Sequence, residues 1–369
     1  MHTTDAPRIA IVGAGLGGLA CARILQLHGR QVTVFEREAS TGARDQGGSL
    51  DIHGGTGQTA LRAAGLLDQF RALARPESQE WRVLDPTTAD ALPVTVPVHD
   101  DDSPEIDRGQ LRGLLLDSLT EGTVRWNRAV TGVQPLEDGT ARLLFDDGGT
   151  EEVDLVVGAD GAWSRVRPAL SDATPRYDGV TFIEAGFDDC AQRHPHLAGL
   201  VGEGTMLASA GSRALLAQRD STDHIRVYIA FHAPRNWPES SGVALDDTAA
   251  VRAHLLKMFD GWHESLLDLV RHNDGGFVDR PVFVLPAPHT WEHVPGVTLL
   301  GDAAHLMPPV GLGANLAMLD GADLARALIT EPTVDDAVRA YEGLMLPRSA
   351  EAAQECAAAL DHLLPAEEA

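Results

Sequence analysis

The chain has 369 residues, a net charge of −25 and a 44% hydrophobic fraction. That length can bury a sizeable core, and the acidic balance argues against nucleic acid or an anionic membrane as partner. Three scattered cysteines, Cys21, Cys190 and Cys356, form neither a disulfide framework nor a metal-binding spacing, no run approaches the roughly 18–20 apolar residues of a membrane span, and the N-terminus shows no signal pattern. The expectation is a soluble, cytoplasmic, monomeric protein that handles a small molecule without a metal.

The first predicted element is a buried strand over residues 8–12, RIAIV. It runs into Gly13-Ala-Gly15-Leu-Gly17-Gly18, then a helix from Leu19 to about His28, then a second strand, 31–35, ending at Glu36. This is a complete βαβ dinucleotide fingerprint. Gly13 makes the tight turn, Gly15 admits a pyrophosphate, and Gly18 lets the helix approach the sheet. Glu36 lies 18 residues beyond Gly18, close to where a ribose-binding acid is expected. The motif does not distinguish NAD from FAD.

A glycine-rich loop follows, containing Arg37, Arg44 and Asp51, each either a solvated surface charge or a ligand contact. Residues 79–98 alternate weakly and contain several prolines, which suggests edge strands. Ser103-Pro104-Glu105 is expected to start a helix with Leu111, Leu114, Leu115 and Leu119 on its apolar face. Arg108 and Arg112 share one side near its start, either facing a ligand or answering Asp100–Asp102. Residues 123–131 and 140–146 read as strands. A further buried strand, 154–157, ends in Gly158-Ala-Asp160-Gly161, again an acid and a glycine at a strand's carboxyl end.

From about Thr174 to Leu285 the texture changes to closely spaced alternating segments, YDGVTFIEAGF, TMLASA, RALLAQ, IRVYIAF and PVFVL, which suggest an antiparallel sheet. A helix over about 248–258 interrupts them. The stretch 297–328, VTLLGDAAHLMPPVGLGANLAMLDGADLARAL, then offers a strand, Gly301-Asp302, a Pro308-Pro309 turn and a helix opened by Gly311 and Gly313 and carrying Asn315. Alone, this is either a capped turn or a site for a ligand with sugar hydroxyls and an electron-rich ring. Two closing helices are expected, 335–346 and 349–364, parted by Pro347.

The order of Gly13–Gly18, Asp160-Gly161 and Gly301-Asp302, with the alternating sheet between the second and third, resembles the single-component FAD-dependent aromatic monooxygenases. GGSLDIHGGTGQTALRAAGLL, SPEIDRGQLRGLLLDSL and GDAAHLMPP are similar to the tetracycline-inactivating members. The resemblance implies an α/β fold: a discontinuous Rossmann-like FAD domain (1–77, 105–173, 286–346), an inserted antiparallel sheet for substrate (78–104, 174–285) and a C-terminal helix (347–369). It implies FAD as cofactor, NADPH or NADH as co-substrate, and O2 used to hydroxylate an electron-rich aromatic or polyketide molecule. Under the resemblance, Gly13, Gly15, Gly18 and Glu36 hold the pyrophosphate and adenosine ribose. Arg37, Arg44, Asp51 and Arg108 contact FAD or the nicotinamide cofactor, and Asp160 belongs to the same set. Asp302 meets the ribityl or pyrophosphate region, while Pro309, Gly311, Gly313 and Asn315 line the isoalloxazine.

The substrate set departs from the family. Glu184 and Thr205 stand where the tetracycline-inactivating enzymes use an amide and a guanidinium, and Glu184 suggests a cationic or donor group on the substrate. His224 and His232 are further substrate candidates. These two, with His53 and His305, are either proton-moving or structural. No catalytic side chain is assigned, because the flavin would carry the chemistry. The other readings are a halogenase, whose Trp-x-Trp-x-Ile motif is lacking, a dehydrogenase, or a non-catalytic flavin-binding scaffold.

Overall fold

The computed structural model describes residues 6–43, 46–93 and 103–366. Its floor is a five-stranded parallel sheet in the order Val297–Leu299, Leu155–Gly158, Ile9–Val12, Val32–Phe35, Val124–Arg125. The inner strands are apolar throughout because helices cover both faces of such sheets. Helix Leu16–Leu27 packs on this sheet and crosses helix Gly313–Thr330 at very short range. A Cβ on Gly17 would stand 2.4 Å from the Ala317 carbonyl oxygen, and one on Gly321 only 2.3 Å from that of Gly17. The glycines therefore let two helix N-termini converge at one end of the sheet.

The roof is a seven-stranded sheet in the order Val278–Val284, Arg176–Phe187, Ile225–His232, Arg213–Arg219, Thr205–Ala210, Trp81–Leu84, Ala91–Leu92. All its pairings are antiparallel except that of Trp81–Leu84 with Thr205–Ala210. Its outer face (Ile183, Ala185, Met206, Leu215, Val227, Ile229) is buried under helices Thr248–Met258 and Glu264–Arg271. Its inner face carries Val180, Ala214, Ala230 and Val282, which pack against Leu360 and Leu364 of the last helix. A two-stranded ribbon, Ser49–Asp51 with Glu105–Asp107, lies beside the roof in the register Ser49↔Asp107, Leu50↔Ile106, Asp51↔Glu105.

Three expectations change. The helix expected from Ser103 begins at Arg108, because Glu105 and Ile106 are buried in the ribbon and Pro104 favours an extended residue before it. The strand expected over 123–131 divides at Asn127, whose φ of 54° turns the chain out of the parallel sheet and into a separate three-stranded one. Pro347 does not part the closing helices: one helix runs Val334–Leu363, so a boundary at 347 falls inside it. The carbonyl that proline leaves unmet belongs to Gly343, which has no Cβ and nothing near where one would be. Among the described residues no helix is long and apolar enough to cross a membrane, and no cluster could hold a metal ion.

Candidate active site

The first glycine turn is fixed by its backbone. Gly13 has φ +107°, and a Cβ there would meet the Ala159 carbonyl oxygen at 2.3 Å. Gly18 is similarly closed, 2.5 Å from the Gly13 carbonyl. At Gly15, by contrast, the nearest atom is 4.0 Å away, so the backbone faces open space. Glu36 is buried at the end of its strand. Its carboxylate accepts from Ala14 N at 2.7 Å and Glu38 N at 2.9 Å, which fixes it beside the turn. Arg112 braces the same turn from behind. Its Nε donates to the Ala14 carbonyl at 2.9 Å, its guanidinium reaches Thr41 O and Glu38, and it lies over the Trp126 ring. Arg37 and Arg108 are exposed nearby. Arg44 lies outside the described residues.

The second and third signatures close the far wall. Asp160 accepts from Ser164 Oγ and Arg165 N, both at 2.6 Å, so its carboxylate clasps its own turn, and burial pushes its pKa up. Arg167 donates to the carbonyls of Asp302 and Ala303 and holds that loop against the turn. A Cβ on Gly313 would be 3.9 Å from Asp302 Oδ1, so Asp302 lies at the opening of helix Gly313–Thr330. That helix has no acidic residue in its first turn and no side-chain cap, so its first amides are uncapped. Asn315 joins it to the ribbon: Nδ2 donates to Asp51 O at 2.8 Å, and Oδ1 accepts from His53 N at 2.9 Å. Gly311 and Pro309 are exposed, and Asp51 borders Gly311.

Asp320 anchors this wall. It is 1% exposed and accepts from Gly301 N, His305 Nε2 and Arg348. Burial alone would raise its pKa, but His305 outweighs it and holds the carboxyl below the ordinary range. Burial likewise lowers His305, and Asp320 overrides this and raises it. His305 is thus held in a structural pair with Asp320. Asp320 and Arg167 carry no motif, and only the burial forced on a charge by its neighbours reveals them, while Arg112, expected to face a ligand or answer Asp100–Asp102, braces the turn through Ala14, Thr41 and Glu38.

The roof contributes side chains from separate strands. Glu184, Thr205, Gln218, Arg226, Tyr228 and Phe182 all alternate onto its inner face. A Cβ on Gly48 would touch Arg226 and Tyr228 at 3.4–3.5 Å, which sets this patch against the ribbon that borders Gly311. Glu184 is held between Arg226 and Arg280, the latter at 3.0 Å. It is therefore not available to seek a cationic substrate as expected. Thr205 is 1% exposed and bonded to Glu105 and Gln218. His224 pairs with Asp188 at 2.8 Å, and His232 binds the Leu364 carbonyl at 2.8 Å. They lie at opposite ends of one strand, and the structure does not bring them together. Gly202 and Gly204 pack against Arg82 and the Glu80 backbone.

These residues fit a flavin dinucleotide: an open glycine turn, a fixed acid at the second strand, an acid at the third wall and a helix start with uncapped amides. Comparison with known proteins agrees. An FAD binding domain model matches residues 7–243 and 291–355. Monooxygenase asqM of Emericella nidulans is 32% identical, over 87% of this chain and 83% of its own. The 3-amino-4-hydroxybenzoate 2-monooxygenase of Streptomyces cremeus is 31% identical, over 93% of this chain and 84% of its own. Klebsiella pneumoniae HpxO, complexed with FAD and uric acid, superposes with a TM-score of 0.82 at 20% identity, covering 99% of this chain and 91% of its own. Tetracycline destructase Tet(51) gives 0.71 at 22%, covering 98% and 92%. The chain belongs to the FAD-dependent aromatic monooxygenase family, with a Rossmann-like core and an antiparallel sheet. It is an FAD-dependent monooxygenase.

Proposed function

We propose that the protein uses NADPH or NADH and O2 to hydroxylate an electron-rich aromatic or polyketide small molecule between the roof sheet and the Gly311 loop. The observation that carries this is the polar and aromatic patch of Arg226, Tyr228 and Gly48 set against the ribbon that borders the helix start. When bound, FAD supplies electron transfer and oxygen activation. The chain's own groups hold and dry the site. Gly13, Gly15 and Gly18 receive the pyrophosphate, Glu36 the adenosine ribose, and Asp302 the ribityl region. The amides opening helix Gly313–Thr330 face the pyrimidine edge and favour negative charge there. Phe182 and Tyr228 exclude water above it. Arg37, Arg108 and Asp51 border the cofactor's open side. In this reading 1–77, 105–173 and 286–346 bind FAD, and 78–104 and 174–285 bind substrate.

The test is to incubate FAD-loaded protein with each nicotinamide cofactor and a panel of phenols, aminohydroxybenzoates, uric acid and polycyclic polyketides, tetracyclines included. Faster nicotinamide oxidation and a mass gain of one oxygen in a panel member are expected. Nicotinamide oxidation that no aromatic compound accelerates, with only peroxide formed, would overturn the reading.

A further inference from the structure

Two polar groups on the inner face of the roof are held in place with bonding capacity to spare. Arg280 lies on the edge strand Val278–Val284, opposite Phe182, and its side chain is 56% exposed. Its Nε donates to Glu184 Oε2 at 3.0 Å. Its two terminal nitrogens meet no partner among the described residues. Tyr228 lies opposite Glu184 on the next strand. Its ring centre is 6.2 Å from that of Phe182, and its hydroxyl bonds to no described residue.

The charges here do not cancel. Glu184 is bonded on one oxygen by Arg226 and on the other by Arg280. One carboxylate against two guanidiniums leaves a positive charge in excess, on a chain whose net charge is −25. With Nε tied to Glu184, the guanidinium plane is fixed, and its terminal N–H groups remain as a fork for a second planar partner. Burial pushes the Tyr228 pKa up and Glu184 adds to this, although Arg226, Arg280 and Arg108 pull the other way. The hydroxyl therefore keeps its proton and is a donor beside the cations.

The position suits the cleft. A Cβ on Gly48 would stand 3.5 Å from the Tyr228 hydroxyl. Gly48 and Asp51 are three residues apart at the start of the ribbon, at most roughly 10 Å. Asp51 lies 3.8 Å from where a Gly311 Cβ would be. The cationic patch is thus set back from the Gly311 loop by about the length of a one- or two-ring molecule.

We propose that the roof selects aromatic acids: a carboxylate on the substrate seats on the Arg280 fork and accepts from the Tyr228 hydroxyl, with its ring against Phe182 and its far edge toward the Gly311 loop. This rests on the proposed function for the reaction, but not for the binding. Arg280 and Tyr228 touch substrate. Glu184 is a positioning residue that fixes Arg280 and offsets one of the two positive charges. A neutral amide of the same shape keeps the ring contacts and loses the ion pair. An aromatic ammonium meets the excess positive charge and is rejected.

The test is equilibrium dialysis of the FAD-loaded full chain, without nicotinamide, against hydroxybenzoates, hydroxynaphthoates and the primary amide of each. The acid should bind roughly 10- to 100-fold more tightly than its amide, and should shift the flavin absorbance bands. Arg280→Gln should remove the difference by weakening the acid alone. Arg280→Lys, a point charge without the fork, should restore only part of it. Tyr228→Phe should weaken the acid roughly 5-fold. Glu184→Gln keeps a bond to Arg280 and removes the opposing charge, so the acid should bind more tightly, with lower KM and unchanged kcat, while amide binding does not respond. Flavin content should be the same in all four variants. A panel in which no acid binds, acid and amide of equal affinity, or a preference that survives in Arg280→Gln overturns the proposal. Acids that bind through Arg280 yet gain no oxygen with NADPH or NADH overturn the proposed reaction and leave the site standing. Neutral aromatics that are hydroxylated while acids are excluded overturn the site and leave the reaction.

Discussion

The floor and roof of the cleft are held together by different means. In the floor, backbone meets backbone. The absent Cβ atoms of Gly13, Gly17 and Gly321 would stand within 2.4 Å of carbonyl oxygens, so no side chain can be added without moving a strand or helix. In the roof, contact is made at the ends of long side chains: Glu184 with Arg226 and Arg280, and Gln218 with Thr205 and through it Glu105. A side-chain lattice can be rebuilt one residue at a time while the strands stay in place. The floor therefore suits a ligand that never changes, and the roof one that does.

Four outcomes would break or sharpen this contrast. The largest is at Asp320, where replacement by alanine leaves buried His305 without its anion and half-buried Arg348 with Asp323 alone. A loss of about 3–5 kcal/mol is expected in urea unfolding of the apoprotein. Stability unchanged within error would mean that the floor does not depend on this ion cluster. Next comes pH. Glu105 holds its proton to about pH 7 in the folded chain, against 4.5 for an ordinary glutamate. The folded state then binds more protons between those limits. Stability should fall as pH rises from about 4.5 to about 7, by up to about 3 kcal/mol, and level off above. Glu105→Gln should flatten that slope, and a slope identical in both proteins would refute the assignment. Gly321→Ala drives a methyl group into the Gly17 carbonyl. It should cost about 1–3 kcal/mol and lower FAD content after purification. A smaller effect is expected in the roof. Glu184→Gln removes the charge of a largely buried pair but leaves an amide oxygen for Arg226 and Arg280, so it should cost about 1–2 kcal/mol and leave flavin content intact, while changing the apparent KM for the preferred substrate. Loss of flavin in that variant would erase the distinction between floor and roof.

The floor was readable because its constraints are local. A turn that needs positive φ at Gly13, an acid at the end of the next strand and a glycine-opened helix after Gly301-Asp302 each declare themselves within a few residues. Glu105 was not readable. PEID has the composition of a helix start, and only pairing with Ser49–Asp51, some fifty residues earlier, makes it a strand. Its other neighbours, Arg75 and Thr205, come from two further segments. Glu184 misled for the same reason, since the two arginines that hold it lie 42 and 96 positions along the chain. Gly17 and Gly321 look like ordinary helix residues until the crossing of two helices gives them a task. Pro347 read as a break because proline opposes helix, yet the packing of both halves carries one helix through it.

The last helix has a mechanical consequence. At one end Tyr341 donates to the Leu299 carbonyl of the parallel sheet, and Glu342 receives Thr298 and Trp291. At the other, Leu360 and Leu364 press on the roof, and the Leu364 carbonyl holds His232. With 30 residues at roughly 1.5 Å each, it is a rod about 45 Å long, pinned to both layers. Such a rod works as a caliper that sets the spacing of the parallel sheet and the roof. Under the proposed function, a change of bend at Pro347 would alter the thickness of the ring system admitted. Substrate range can then drift through a residue that no substrate ever touches.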